Sequence, residues 1–506
     1  MTLCRHIFLF LTVLSGMARA WPWNSKGADS SSAVENQSAA APRRIQHVPL
    51  QKQYVPVMKN NKTIAYKTAY FGEVFVGTPK NTFTVVFDTG SGHFILPRQS
   101  CTTETCAKHR RYDGKASSTS TDIEYDGKVI NPASTQRDQV IVSFGTGKVT
   151  GEFVKDYVCV GASANDVDCA MLRVVLAIDM TPDPFGLFAF DGVLGLGLNA
   201  LTLDPKFSFF GEMVAQNPGM HPQFSVFLAR HEGGESVISF GGHDPEKADS
   251  ELAWSPVAMQ ELGYWQVQIK GVRIGDQVLE ECRDGGCRAV LDTGTSLLGV
   301  PRMAARALHR MLARQLPAEL EGKSDVDCRH VSGHDVEFDL GGHTVNIPAE
   351  DYSRPAPFNM SVTVNGTNTS KLFCRSLLLP IDMKEPLGPK IFIWGEPVLR
   401  RYLTVYDWAQ KQVGFALARQ PDEAPKDVKK SSIGAPEEGS LLAGAPIHRR
   451  PSASANATAS VNESASSSSN RTGYSVIGHD GEVSPTGAKV NDQSSSGSSR
   501  EYQVTV

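Results

Sequence analysis

The chain has 506 residues, 41% of them apolar, with 45 glycines, 29 prolines and a formal net charge of −4. That length accommodates two domains of ordinary size, and the Gly and Pro content suits a β-rich core linked by turns. The small net charge and the lack of any basic block give no footing for a nucleic-acid partner. Residues 1–20 read as a secretory signal peptide: Arg5, an apolar run over residues 7–14, then Ala18-Arg19-Ala20 as a small-x-small cleavage site. The run is too short to span a bilayer comfortably and no later segment is long and apolar enough, so no membrane span is expected after signal removal. Residues 21–53 read as a polar leader or short propeptide, Ser/Ala-rich up to Arg43-Arg44, which is either a processing site or a solvated pair.

From Tyr54 onward, short alternating or apolar runs are punctuated by Gly, Pro, Asn and Asp, as the strands of a β domain should be. Residues 54–226 read as a first lobe and 227–419 as a second. In the first, Phe83-Thr84-Val85-Val86-Phe87 runs into Asp88-Thr89-Gly90 and then Ser91. In the second, Arg288-Ala289-Val290-Leu291 runs into Asp292-Thr293-Gly294 and then Thr295. Just after Pro301, Ala, Leu and Met at helical spacing predict a helix over 302–316. Residues 420–506 change composition sharply to Ser, Ala, Gly, Asn and Thr and are expected to be a disordered tail without a lipid-anchor motif.

The repeated Asp-Thr-Gly carries the most information. A strand that ends in Asp before a Gly turn presents the carboxylate at a loop tip, with backbone N–H groups free to bond it. Two such tips face to face give carboxyls that share one proton, since like charges roughly 3 Å apart cannot both ionise. Chance would place two copies in roughly one per cent of chains this long. A second repetition supports the pair: Val193-Leu194-Gly195 lies downstream of Asp88 and Ile393-Trp394-Gly395 downstream of Asp292, with Asp-to-Gly separations of 107 and 103 residues. Equal punctuation at nearly equal spacing argues for an internal duplication and a cleft between two related lobes.

With these phrases go Tyr70-Phe71-Gly72, Val76-Gly77-Thr78-Pro79, Asp191-Gly192-Val193-Leu194-Gly195-Leu196, Phe224-Ser225-Val226, Phe240-Gly241-Gly242, Tyr264-Trp265-Gln266 and Val413-Gly414-Phe415. In this order, from about Tyr70 to Ala418, the chain strongly resembles the pepsin-like aspartic proteases. The resemblance implies a mostly β, bilobal fold and an aspartic endopeptidase that acts on polypeptides as a monomer, with Asp88 and Asp292 as the catalytic pair and with no cofactor or metal. It also implies that Thr89 and Thr293 bond across between the loops, that Gly90 and Gly294 leave room for the carboxyls, and that Ser91 and Thr295 donate to them. A hydroxyl donated to a carboxylate lowers its pKa, which favours an acidic optimum. Ile141-Val142-Ser143-Phe144-Gly145-Thr146-Gly147 matches the family's flap hairpin. It is not a phosphate loop, because Val149 stands where Ser or Thr is needed.

Several positions depart from the family pattern. Phe144 replaces the usual flap Tyr, and Ile95 replaces the Trp that bonds its hydroxyl. Losing both partners of a hydrogen bond together can be nearly neutral, so the flap is expected to be held by packing over a drier first pocket, with a preference for apolar residues. Trp394-Gly395-Glu396 stands where Leu-Gly-Asp is common, and His93 reads as a cleft-edge or surface residue. Val48-Pro49-Leu50-Gln51-Lys52 is either the start of a short prosegment or the first strand of the mature enzyme; Lys52, Lys59 and Lys62 are candidates for a lysine that blocks the pair in a zymogen.

Nine cysteines become eight when Cys4 leaves with the signal, an even number that points to disulfides. Cys101–Cys106 and Cys328–Cys374 match family bridges. Cys282–Cys287 matches in place, with a span one residue longer than in pepsin. Cys159–Cys169 is what remains. The spacings lack the paired knuckles of a zinc site. Eight Asn-x-Ser/Thr sequons, at Asn36, Asn61, Asn359, Asn365, Asn368, Asn456, Asn462 and Asn470, fit a secretory route to a secreted or lysosome- or vacuole-like destination. Two rival readings remain: a non-catalytic pepsin-like protein that binds peptides, and a glycosylated surface protein whose Ser-rich tail is the working part. Both Asp and both Gly of the two triplets are present, which counts against the first rival.

Overall fold

The computed structural model describes residues 45–420 and 501–505, apart from 60–61, 132–133, 135, 232, 324 and 365–366. The expected signal peptide, the expected leader through Arg44, the stretch 421–500 and six of the sequons lie outside the described residues. Asn359, by contrast, is exposed on a strand.

The first half is built from β1 (Gln46–Lys59), β2 (Lys62–Val76), β3 (Asn81–Asp88), β4 (Phe94–Pro97), β5 (Thr121–Ile123), β6 (Gln139–Ser143), β7 (Lys148–Ser163), β8 (Asp166–Met180) and β9 (Gly192–Gly195). Period-two alternation explains the start of β1: Gln46 and Val48 point inward, His47 and Pro49 outward. Its first residues pair antiparallel with Ser236–Phe240, and from Gln51 it pairs with β2. The last eight residues of the expected leader, 46–53, are a sheet strand, a conformation open to a short prosegment and to a first strand of the mature enzyme alike.

The duplication inferred from spacing is a structural repeat. β3 runs parallel to β9 with Asp88 opposite Gly195, while β4 lies antiparallel to β9 and parallel to β8. In the second half Cys287–Leu291 runs parallel to Ile391–Trp394, and Leu298–Pro301 lies antiparallel to that strand and parallel to Leu378–Ile381. The same glycine serves both halves for the same reason. A β-carbon at Gly195 would meet the His93 backbone nitrogen at 2.6 Å, and one at Gly395 the Thr295 carbonyl oxygen at 2.2 Å. Only Gly lets these two chain segments approach so closely.

The halves are joined by a sheet that orders Ala253–Pro256, Gln412–Leu417, Tyr402–Asp407, Gln223–Phe227, Ser236–Phe240 and β1, and continues through β2 into the first lobe. The lobe boundary drawn after residue 226 thus falls inside a strand of a shared sheet. One apolar cluster runs from Val74 and Phe94 through Phe224 and Trp265 to Phe338 and Trp394.

The helix near Pro301 is shorter than expected, Arg302–Leu312. Ala304, Ala305, Leu308 and Leu312 form its buried face, and the chain then turns extended so that Arg314–Gln315 pairs with Phe373 and Cys374. Strand pairing there overrides the helical spacing. All four disulfides are formed: Cys101–Cys106, Cys159–Cys169, Cys282–Cys287 and Cys328–Cys374. Cys159 and Cys169 face each other across β7 and β8, which is why that pair closes. The tail is not unstructured to its end, since Glu501–Thr505 forms a strand along β6. Among the described residues, no helix is long and apolar enough to cross a membrane.

Candidate active site

Both Asp-Thr-Gly loops leave the repeat at its centre. β3 becomes continuously buried over its last four residues and delivers Asp88 into the interior. Gly90 N–H donates to Asp88 Oδ1 at 2.9 Å and Gly294 N–H to Asp292 Oδ1 at 2.8 Å, so each carboxylate closes the turn that follows it. The threonines cross. Thr89 N–H donates to Thr293 Oγ1 at 2.9 Å and Thr293 N–H to Thr89 Oγ1 at 3.1 Å, while the hydroxyls donate onward to Leu291 O at 2.8 Å and Phe87 O at 2.6 Å. Four bonds with a near two-fold relation lock one loop to the other.

The glycines show how close the carboxyls lie. A β-carbon at Gly90 would sit 3.0 Å from Asp292 Cγ; one at Gly294 would sit 2.8 Å from Asp88 Oδ1 and 3.2 Å from Asp292 Oδ1. A single methyl group at Gly294 would touch both acids.

Burial, then the Asp292 charge, push the Asp88 carboxyl up to about 7 against the pull of the Ser91 hydroxyl and the Gly90 N–H. Asp292 is also raised by burial, but the Thr295 hydroxyl and the Gly294 N–H draw it back. The Asp292 charge opposes ionisation of Asp88, so the two carboxyls share one proton. The flanking hydroxyls are not equivalent. Thr295 Oγ1 donates to Asp292 Oδ2 at 2.6 Å, whereas Ser91 Oγ is buried without a well-formed partner. Ser91 therefore acts on Asp88 by proximity more than by a directed bond. Tyr264, raised to about 12 by burial and by the charges of Asp292 and Asp88, lies within electrostatic reach of the pair.

The hairpin of β6 and β7 carries Phe144, Gly145, Thr146 and Gly147 at its tip, closed by Phe144 N–H donating to Gly147 O at 2.8 Å. Phe144 packs edge-on against Phe185, ring centroids 5.3 Å apart, at the margin of an apolar cluster that includes Ile95, Phe190 and Phe207. Gly145 has open space around it, while Gly147 sits against Asp183 and Pro184.

Two expectations are corrected. His93 is neither at a cleft edge nor on the surface: it is fully buried, accepts from Leu203 N–H at 3.1 Å through Nε2, and is driven down to about 4 by burial. It packs edge-on against Phe207 and is a neutral core residue. Lys52 is not free for the acid pair, because its Nζ lies 2.6 Å from Glu396 Oε1. Lys59 and Lys62 have no described side chains.

Glu396 was not singled out from sequence beyond its difference from Asp. It is buried and gathers Lys52, the Tyr70 hydroxyl at 3.1 Å, the Thr68 hydroxyl and Arg400 at 3.5 Å. Burial alone would push its carboxyl up, yet Lys52 and Arg400 hold it below the ordinary carboxylate value. Thr68 is also tied to Ser296, next to the second loop, by a pair of bonds of 2.8 and 2.7 Å. No one residue type in the sequence marks this network; it exists only where four distant segments meet.

The family model "Eukaryotic aspartyl protease" matches residues 69–418. The chain is a eukaryotic aspartyl protease. The protease is 31% identical over 355 residues to cathepsin E of Rattus norvegicus, covering 69% of this chain and 80% of the relative. It is 31% identical over 354 residues to cathepsin D of Clupea harengus, with 69% and 80% covered. A third relative, a probable vacuolar protease A of Trichophyton verrucosum, is 30% identical over 356 residues, with 69% and 78% covered. The protease is thus pepsin-like in family and mostly β in fold, and its activity is that of an aspartic endopeptidase.

Proposed function

We propose that Asp88 and Asp292 are the catalytic pair of this endopeptidase, with Asp292 ionised and Asp88 protonated at the start of the cycle. The observation that carries this is the crossed pair of loops, which brings both carboxyls within reach of one methyl-sized position. Asp292 withdraws a proton from a water held between the acids; the water oxygen bonds the scissile carbonyl carbon while Asp88 gives its proton to the carbonyl oxygen. Collapse of the resulting gem-diol returns a proton to the leaving nitrogen and breaks the C–N bond.

The pair needs one proton. With Asp88 raised to about 7 and Asp292 also raised, the singly protonated state spans mildly acidic pH and is lost above neutrality. Phe144, Ile95 and Phe185 support a preference for apolar residues beside the cut, under a flap formed by residues 144–147. Ser91, Thr295 and the two loop glycines serve the pair as supports. A signal peptide at residues 1–20, removal of the leader by Arg44, glycosylation at exposed sequons such as Asn359, and action as a monomer in a secreted or vacuole-like compartment complete the proposal.

Digestion of a denatured protein from pH 3 to 7 by purified enzyme, with Asp292→Ala in parallel, tests the assignment. Acid-favoured cleavage that falls at least about a thousandfold in the variant is expected. Equal cleavage by the variant would remove Asp292 from the mechanism, and no cleavage by either would favour a binding role.

A further inference from the structure

Strand β6 is the outer strand of the flap hairpin, bonded to β7 on one side. Its other side is not open. Glu501–Thr505 runs along it in parallel, Glu501 opposite Gln139, Tyr502 opposite Val140, and so on to Thr505 opposite Ser143. The pairing covers the whole of β6 and stops one residue short of Phe144.

The segment is suited to the place. After a long Ser-rich stretch, Glu501-Tyr502-Gln503-Val504-Thr505 alternates apolar and polar residues and has β-branched and aromatic side chains, as a strand requires. Tyr502 and Val504 stand opposite Val140 and Val142, the two inward-facing residues of β6. Tyr502 is 3% exposed, while the next residue, Gln503, faces solvent. The Tyr502 ring packs on Tyr125 with centroids 4.3 Å apart, inside the apolar cluster that contains Ile95, Phe185 and Val140 and supports Phe144. A bare sheet edge invites pairing with another chain, and here the protein's own residues 501–505 occupy it.

We propose that the C-terminal segment Glu501–Thr505 is a strap on the flap: by adding a strand to β6 and anchoring it through Tyr502, it holds the hairpin in the position that receives substrate. The inference rests on the reading of residues 144–147 as the flap over the acid pair. With the strap in place, β6 is held between two strands right up to the tip, and only the turn is left to move. Without it, β6 becomes a free edge, the flap samples other positions, and substrate meets a receptive flap less often. A loss of this kind raises KM and leaves kcat nearly unchanged, because the acids and their loops are untouched. A backbone cut anywhere between residues 420 and 501 would turn the strap into a separate peptide, so trimming of the tail would tune the enzyme.

The test compares the full chain, a chain ending at Arg500, and Tyr502→Ala, each by hydrogen exchange and by steady-state kinetics on one peptide substrate. Amides of residues 140–143 should exchange faster in the truncated chain, and KM should rise about fivefold with kcat within twofold. A synthetic peptide of residues 500–506 added to the truncated enzyme should restore both readings, and Tyr502→Ala should fall between. Equal exchange in the full and truncated chains would overturn docking of the strap, whether or not any variant cleaves. Changed exchange with unchanged KM would overturn its effect on substrate. If the full chain runs as a dimer that truncation converts to monomer, the strand is exchanged between copies and an internal strap is excluded. Absence of cleavage by the full chain would count against the flap reading alone, since exchange still reports the strand.

Discussion

Asp88 sits where a buried carboxyl and a second acid oppose its ionisation, and this has a consequence for stability as well as rate. Its folded value, about 7, lies above its ordinary 3.8, so the fold favours the protonated form. The stabilisation this gives is complete below about pH 4 and is lost as pH rises through 7; Asp292 shifts in the same direction. Asp88→Asn should therefore be inactive yet melt at a higher temperature than the parent at pH 7.5, with the difference gone at pH 4, as thermal unfolding at the two pH values would read. The adjacent glycines are equally demanding. In Gly294→Ala the new methyl would press on Asp88 Oδ1 from 2.8 Å. Displacing a reacting group by a fraction of an ångström is expected to cut kcat on the order of a hundredfold, with little change in thermal stability.

At the scale of elements, the hairpin proposed as the flap illustrates how a hydrogen bond can be given up. Phe144 is half-exposed and leans on Phe185, while Ile95 is fully packed in the cluster behind it. Restoring only one half of the family's Tyr–Trp pair should not restore its bond. Phe144→Tyr should change stability by less than about 0.5 kcal/mol, since its hydroxyl can reach solvent. Ile95→Trp should destabilise by about 1–3 kcal/mol through overpacking, measurable by denaturant unfolding. The helix Arg302–Leu312 shows the opposite relation between sequence and structure. Helical spacing continues to Leu316, but pairing of Arg314–Gln315 with the strand that carries Cys374 ends the helix early. Local periodicity identified the element; a contact from sixty residues away set its end.

Across the whole molecule, the second lobe is held to the N-terminal strand by a buried charge as well as by shared sheet. Lys52 and Glu396 are 344 residues apart in sequence and 2.6 Å apart in space. Lys52→Met would leave Glu396 buried with only Arg400 opposing its charge. Breaking such a pair from one side should cost on the order of 3 kcal/mol in unfolding free energy, while Lys52→Arg should retain most of it. Because Thr68 touches Glu396 on one side and Ser296 on the other, loosening this strut is expected also to disturb the second Asp loop.

The repeated Asp-Thr-Gly and the matching Gly195 and Gly395 were legible in the linear chain because each is a local chemical requirement, a turn or a close backbone approach, whereas three of the Cys pairs came from the resemblance to the family and Cys159–Cys169 was what remained. The two-fold relation of the lobes followed from spacing alone. Burial was not legible. His93 reads as surface when considered as an isolated polar residue, yet Phe207 and Leu203 enclose it. Ser91 and Thr295 look equivalent in sequence, but only Thr295 directs its hydroxyl at a carboxylate. Glu396 gained its partners, and the last strand its place on β6, from segments hundreds of residues away. The sequence by itself determined which residues could form an acid pair and how often the supporting turn recurs, since these depend on neighbours along the chain. Only the tertiary structure decided which acid receives a directed hydroxyl bond, which lysine is occupied and what covers the edge of β6, because desolvation and charge depend on neighbours in space.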